Sequence, residues 1–195
     1  MTPEEHASSP NQKAGDEAQR AAKKEEDTQE FGKKLMDHLG GEITRADTKA
    51  QFILTVDALL LASTTLFEKG IAITIFEPGS SLIARLAGIF SILMFITLLV
   101  STILAITAII PRLTPPGKVN NLYFYGTVTD YKEHDFIHAV RKQTPREMND
   151  LLLSEVHALA KIAQKKFIIV RRSYQWLFLA VGFWILAQGL VAFIK

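Results

Sequence analysis

Two long apolar blocks dominate the pattern of this chain. From Leu86 to Ile110 there is no charged residue in 25 positions, and from Tyr174 to Ile194 there is none in 21. A bilayer core about 30 Å thick takes roughly 20 helical residues, so each block predicts a membrane-spanning helix. A weaker block, 49–67, reads QFILTV and ALLLASTTLF around a single acid, Asp57. It predicts a third span, with Asp57 about 12 Å deep on helical rise and Ser101 and Thr102 at a matching depth in the second.

The polar stretches between these blocks set the rest of the organisation. Residues 1–30 carry no large apolar side chain after Met1 and predict a disordered tail. Residues 31–48 predict an amphipathic lead-in helix, with Phe31, Leu35, His38, Leu39, Glu42, Ala46, Ala50 and Ile53 near one face, broken at Gly40-Gly41. Residues 68–85 predict an outer loop ending in Pro-Gly-Ser-Ser, and the second span, 86–110, stops at Pro111-Arg112. The segment 111–173 predicts a small cytosolic domain, and 174–194 forms the third span. Within that domain NNLYFYG reads as a short strand or irregular loop, and a short helix follows over 133–142. Thr144-Pro145-Arg146-Glu147 has the form of a capping box with proline in the first turn. Beyond it Met148, Leu151, Leu152, Glu155, Leu159, Ile162, Lys166 and Ile169 keep a helical stripe, and no Gly or Pro interrupts residues 146–181. One helix is therefore expected from Pro145 through the third span. The fold class is mainly α: a three-span helical membrane protein with a small cytosolic α domain, plus a short strand, between spans two and three.

Charge distribution gives an orientation. Of 22 Lys and Arg, eight lie up to Lys49 and eleven between Arg112 and Arg172; the other three are Lys69, Arg85 and Lys195. Basic segments stay on the cytoplasmic side, so the amino terminus is expected inside and the carboxyl terminus outside. There are no cysteines, which excludes thiol catalysis and thiolate metal sites, and no cofactor or metal ligand set is visible. No phosphate-binding glycine loop and no nucleophile–base arrangement appears, so the chain is not expected to be an enzyme.

Two regions carry candidate chemistry. Asp57, with Ser101 and Thr102 at its depth, reads either as a gating or pore-lining group or as a carboxyl group satisfied by the two hydroxyls. Asn121, Tyr123 and Tyr125 would share one face of a strand, with Leu122 and Phe124 pointing to a core. Their rings and amide suit a flat heterocycle, and Arg112 or Arg141 would supply a phosphate partner. The same pattern also fits a small apolar core with tyrosines at the lipid interface. Gly182 and Gly189, seven apart, suit close helix contact, and the basic run 165–172 suits an anionic inner leaflet.

Several of these pieces together resemble the Pycsar transmembrane effector family: EITRADTKAQFILTVDALLLA, IIPR, NNLYFYG and SEVHALAKIAQKKFIIVRRSYQWL. The most specific are Ala46, Asp47, Lys49 and Ala50 of the lead-in, and Asn121, Leu122, Phe124, Tyr125 and Gly126 of the aromatic run. The resemblance spans about 42–194. It implies an antiphage effector of the bacterial inner membrane that senses cyclic UMP or cyclic CMP from a partner cyclase and impairs membrane integrity, causing abortive infection. Expected partners are the cyclic pyrimidine nucleotide, the bilayer and further copies of the chain, a homo-oligomer being required to wall a pore; no nucleic acid polymer is expected. Other readings of the same residues are a constitutive holin-like channel and a membrane scaffold that binds a protein through its long cytosolic helix.

Overall fold

The computed structural model describes residues 10–67, 81–110 and 121–193, excluding the side chains of 10–14, 18, 64–67 and 125. Five helices occupy nearly all of them: α1 Pro10–Phe67, α2 Leu82–Ile109, α3 Tyr125–Asp130, α4 Glu133–Lys142 and α5 Pro145–Ala192. They belong to two compact units, one of Met1–Gly40 with Arg112–Lys161 and one of Gly41–Pro111 with Ile162–Lys195. Helices α1 and α5 contribute to both.

Helix α1 begins earlier than the disordered tail expected over 1–30 allows, and it runs through Gly40-Gly41 without a break. Pro10 suits a first helical position, where the missing N–H costs nothing. Local pairs support the polar stretch: Lys34 binds Glu30 at 2.6 Å, and the Thr28 hydroxyl donates to the Lys24 carbonyl. The amphipathic face is real only in part. Ala46, Ala50 and Ile53 are fully buried, whereas Phe31 lies exposed.

Helix α5 starts as the sequence dictates. The Thr144 amide and hydroxyl donate to Glu147 Oε2 at 2.8 and 2.9 Å, and the Glu147 amide donates back to Thr144 Oγ1. These bonds hold the Glu147 carboxyl below its ordinary range. From there the helix is continuous to Ala192. At the start of α2 the Ser81 hydroxyl accepts from the Ala84 amide, a serine cap.

Two expectations need correcting. Among the described residues two helices, α2 and α5, are long and apolar enough to cross a membrane, not three. The stretch 49–67 is the end of a 58-residue helix whose upstream part is polar, and Asp57 interrupts its apolar run. No strand occurs among the described residues: after a turn at 121–124, the chain enters α3 at Tyr125. The expected outer loop falls mostly on residues 68–80, outside the described residues.

In the first unit Leu122, Phe124, Leu152 and Val156 are buried. Gly126 is required by this packing, because a Cβ there would lie 2.5 Å from the Phe124 ring. Gly32 lets α1 approach α5, since a Cβ would meet Leu152 Cδ2 at 2.9 Å. Leu152 is 1% exposed and has little room to yield. Gly32→Val is therefore expected to destabilise this unit by about 1–3 kcal/mol, measured as a lower Tm. Adding Leu152→Ala should recover part of that loss; additive losses would show that the two positions do not pack together.

Candidate functional site: a polar pin in an apolar seam

The second unit is built on three seams with a seven-residue repeat. On α2, Ala87, Ser91, Met94, Leu98, Ser101, Ala105 and Ala108 are buried. On α1 the buried positions are Ala46, Ala50, Ile53 and Asp57, and on α5 those that continue the repeat include Lys166, Val170, Ser173, Leu177, Ala180 and Ala187. Alternating steps of four and three are the spacing of left-handed helix packing. Ala105 and Ala108 cluster with Ala46, Ala50 and Val170, while Met94 and Leu98 cluster with Ala180. Helix α2 thus runs antiparallel to α5. Most seam residues are small, which lets the backbones approach closely.

Within this seam four polar side chains meet. Thr102 Oγ1 donates to Asp57 Oδ2 at 2.9 Å. Ser101 Oγ lies 3.3 Å from Asp57 Oδ1 and 3.3 Å from the Ser173 carbonyl. Ser173 Oγ donates to the Ser101 carbonyl at 2.8 Å. Asp57 is 3% exposed, and Ser101 and Ser173 are fully buried. The carboxyl group thus has a hydroxyl partner on each oxygen, and all three helices are tied at one level. Both earlier readings of Asp57 remain compatible with this arrangement, since a satisfied carboxyl group can also be one that opens. Ser173 was not singled out from the sequence. The signal was present, for a serine sits on the apolar stripe of α5, but serine in a helix is too common to read alone.

A second polar contact lies along the same seam. Buried Lys166 pairs with half-buried Asp47, and Lys49 Nζ sits 5.4 Å from the centroid of the Phe167 ring. Asp47 and Lys49 are the two charged members of the A-D-x-K-A stretch. Lys166 lies on the expected stripe, and its burial is explained by Asp47.

The aromatic run of the first unit is organised differently from the expected strand. Asn121 Nδ2 donates to Glu155 Oε2 at 2.8 Å and to the Leu151 carbonyl at 3.4 Å, and its Oδ1 accepts from the Tyr123 amide at 3.1 Å. Both amide hydrogens are spent on α5. Asn121 is 4% exposed and anchors the turn rather than presenting its amide to solvent. Leu122 and Phe124 are buried as expected. Tyr123 is half-buried, and Arg141 is exposed at the end of α4. No hydrogen bond or ion pair joins Arg141 to Asn121 or Tyr123. The Tyr125 side chain and Arg112 lie outside the described residues. Glu155, also on the α5 stripe, is pushed above its ordinary pKa by burial.

Residues 31–194 match the model of the Pycsar effector protein domain. The chain is also similar to Pycsar effector protein SaPycTM of Staphylococcus aureus, with 25% identity over 145 residues, 74% of this chain and 84% of that protein. No solved structure matches.

Two measurements probe these contacts. Ser173→Ala removes one hydrogen bond between helices and is expected to cost about 0.6–1.7 kcal/mol. Ser173→Leu should cost more, because the backbones are too close for it. Both are read as Tm in detergent, and equal effects would argue against close approach. For Glu155, a raised folded pKa means its stabilising contribution is complete below the unfolded value near 4.5 and is lost as pH rises through the folded value. Glu155→Gln keeps an acceptor for Asn121 and removes the buried charge. The Tm advantage of this variant should therefore grow from pH 4.5 upward, and a pH-independent difference would contradict the burial argument.

Proposed function

From the premise that the chain belongs to the Pycsar effector protein family, we propose that it is a membrane effector which senses a cyclic pyrimidine nucleotide and then impairs membrane integrity. Membership supports a role in antiphage defence, and the signal would come from a partner cyclase. The observation that carries the membrane half of the reading is the pin of Asp57, Ser101, Thr102 and Ser173. A carboxyl group inside an apolar seam is costly unless its partners remain in place, so a small shift of one helix exposes a polar group at the level of the two apolar helices. That is the requirement for a closed state that opens on a signal.

The same contact fixes where the end of α1 lies. Thr102 lies within α2, one of the two helices apolar enough to span, and it holds the Asp57 segment of α1 beside it. The end of α1 therefore packs beside α2, and the distribution of Lys and Arg supports a cytoplasmic 112–172 segment and an outer carboxyl terminus. Further copies of the chain complete the wall of any opening.

Sensing falls to the first unit. Tyr123, Tyr125, Arg112 and Arg141 supply rings and cations for the nucleotide, while Asn121 fixes the turn through Glu155 rather than reading a base. Helix α5 belongs to both units and carries the signal between them.

Dye entry into cells making cyclic UMP or cyclic CMP tests the reading. Entry is expected with one nucleotide and not in cells lacking the cyclase; entry on expression alone would favour a constitutive channel. Two glycines inserted after Gln164, which weaken the helix by about 1 kcal/mol each, should abolish nucleotide-triggered entry while membrane insertion persists. Unchanged entry would exclude α5 as the coupling element.

A further inference from the structure

The second unit has more cations than its carboxylates can serve. Its described residues include three acids: Glu42, Asp47 and Asp57. Glu42 pairs with Arg45, Asp47 with Lys166, and Asp57 is held by Thr102 and Ser101. From Ile162 to Phe193 there is no acid at all. Lys49 and Arg171 have no carboxylate partner among the described residues, and the way they are placed is specific. Lys49 Nζ stands over the Phe167 ring, and Arg171 follows Phe167 by one helical turn, about 6 Å along α5. Tyr174 continues the same strip, half-buried and stacked against Phe178 with ring centroids 6.4 Å apart. Phe178 is 71% exposed and opens the purely apolar part of that face.

Read along the helix, this strip offers an ammonium on an aromatic ring, a guanidinium, a phenolic hydroxyl and then bare hydrocarbon-facing surface. That order matches the order of groups met on entering a leaflet: anionic phosphate, ester region, acyl chain. Arginine provides paired donors to phosphate oxygens, tyrosine settles at the interface, and each basic group near an anionic surface contributes about a five-fold preference. We infer that Lys49, Phe167, Arg171 and Tyr174 form a binding site for the headgroup of an anionic phospholipid at the cytoplasmic leaflet, shared between α1 and α5. The inference rests on the membrane reading of this unit. A lipid seated there bridges the two helices beside the Asp47–Lys166 pair and favours the closed seam.

The test uses the full-length protein reconstituted in vesicles. A single reporter is placed by Phe178→Trp with Trp176→Phe and Trp184→Phe, and quenching by brominated phosphatidylglycerol is compared with quenching by brominated phosphatidylcholine. The anionic lipid should quench at a several-fold lower fraction. Lys49→Gln with Arg171→Gln should remove most or all of that preference. Lys165→Gln with Arg172→Gln, the same charge change on another flank of α5, should leave most of it. Soluble glycerol phosphate should not compete; competition would mean a site for free phosphate instead. Equal losses in the two double variants, or no preference in the parent, would overturn the proposal. No quenching by either lipid would instead contradict the membrane reading on which it rests.

Discussion

The register of the three helices depends on a few polar groups that have only one set of partners. An apolar heptad seam of alanine and leucine fits nearly as well after sliding by one repeat, because every seven-residue step presents similar surface. Asp57 does not permit that freedom. Its two oxygens meet hydroxyls from adjacent residues of α2, Ser101 and Thr102, and Ser101 is clasped in turn to Ser173 of α5. A slide by one repeat would set the carboxyl group against Met94 and Phe95, or Ala108 and Ile109, in place of the two hydroxyls. The polar pin specifies the arrangement more than it stabilises it, as buried polar groups do in other helical assemblies.

Under the proposed function, the same constraint is what a signal would act on. Small residues bring the backbones close and leave few side-chain contacts to break, so the hydroxyl–carboxyl bonds form a large part of what distinguishes one packing from another. The Asp47–Lys166 pair adds a second such contact along α1 and α5. A signal that reaches α5 needs to move it only far enough to separate Ser173 from Ser101. An effector that must stay harmless until signalled fits this design, in which the closed state is held by a small number of directional bonds.

Much of this was legible in the sequence, and the parts that were not have physical reasons. The apolar blocks of α2 and α5, the capping box at Thr144 and the uninterrupted run after it follow from composition and helix chemistry alone. Asp57 was paired with Ser101 and Thr102 by depth alone, and the structure brings the three together. The strand at 121–125 failed because period-two alternation of Asn, Tyr and Tyr is also what an Asn-anchored turn leading into a helix produces; the deciding partner, Glu155, lies 34 residues away. Glu155 and Lys166 were placed on the helical stripe, but the partner of each cannot be inferred from local spacing. Residues 10–30 of the expected tail are helical, and low hydrophobicity gives no sign of docking such as Asn149 Nδ2 donating to the Glu25 carbonyl.

The central claim is that the closed seam must open for the protein to act, and a reversible cross-link tests it most directly. The chain has no cysteine of its own, and the Ser101 and Ser173 hydroxyls lie 3.4 Å apart, so Ser101→Cys with Ser173→Cys places two thiols across the pin. Oxidation in resting membranes should link them, block dye entry when the cyclic nucleotide is made, and allow entry again on reduction. Dye entry that proceeds undiminished through the oxidised, cross-linked protein would contradict the account.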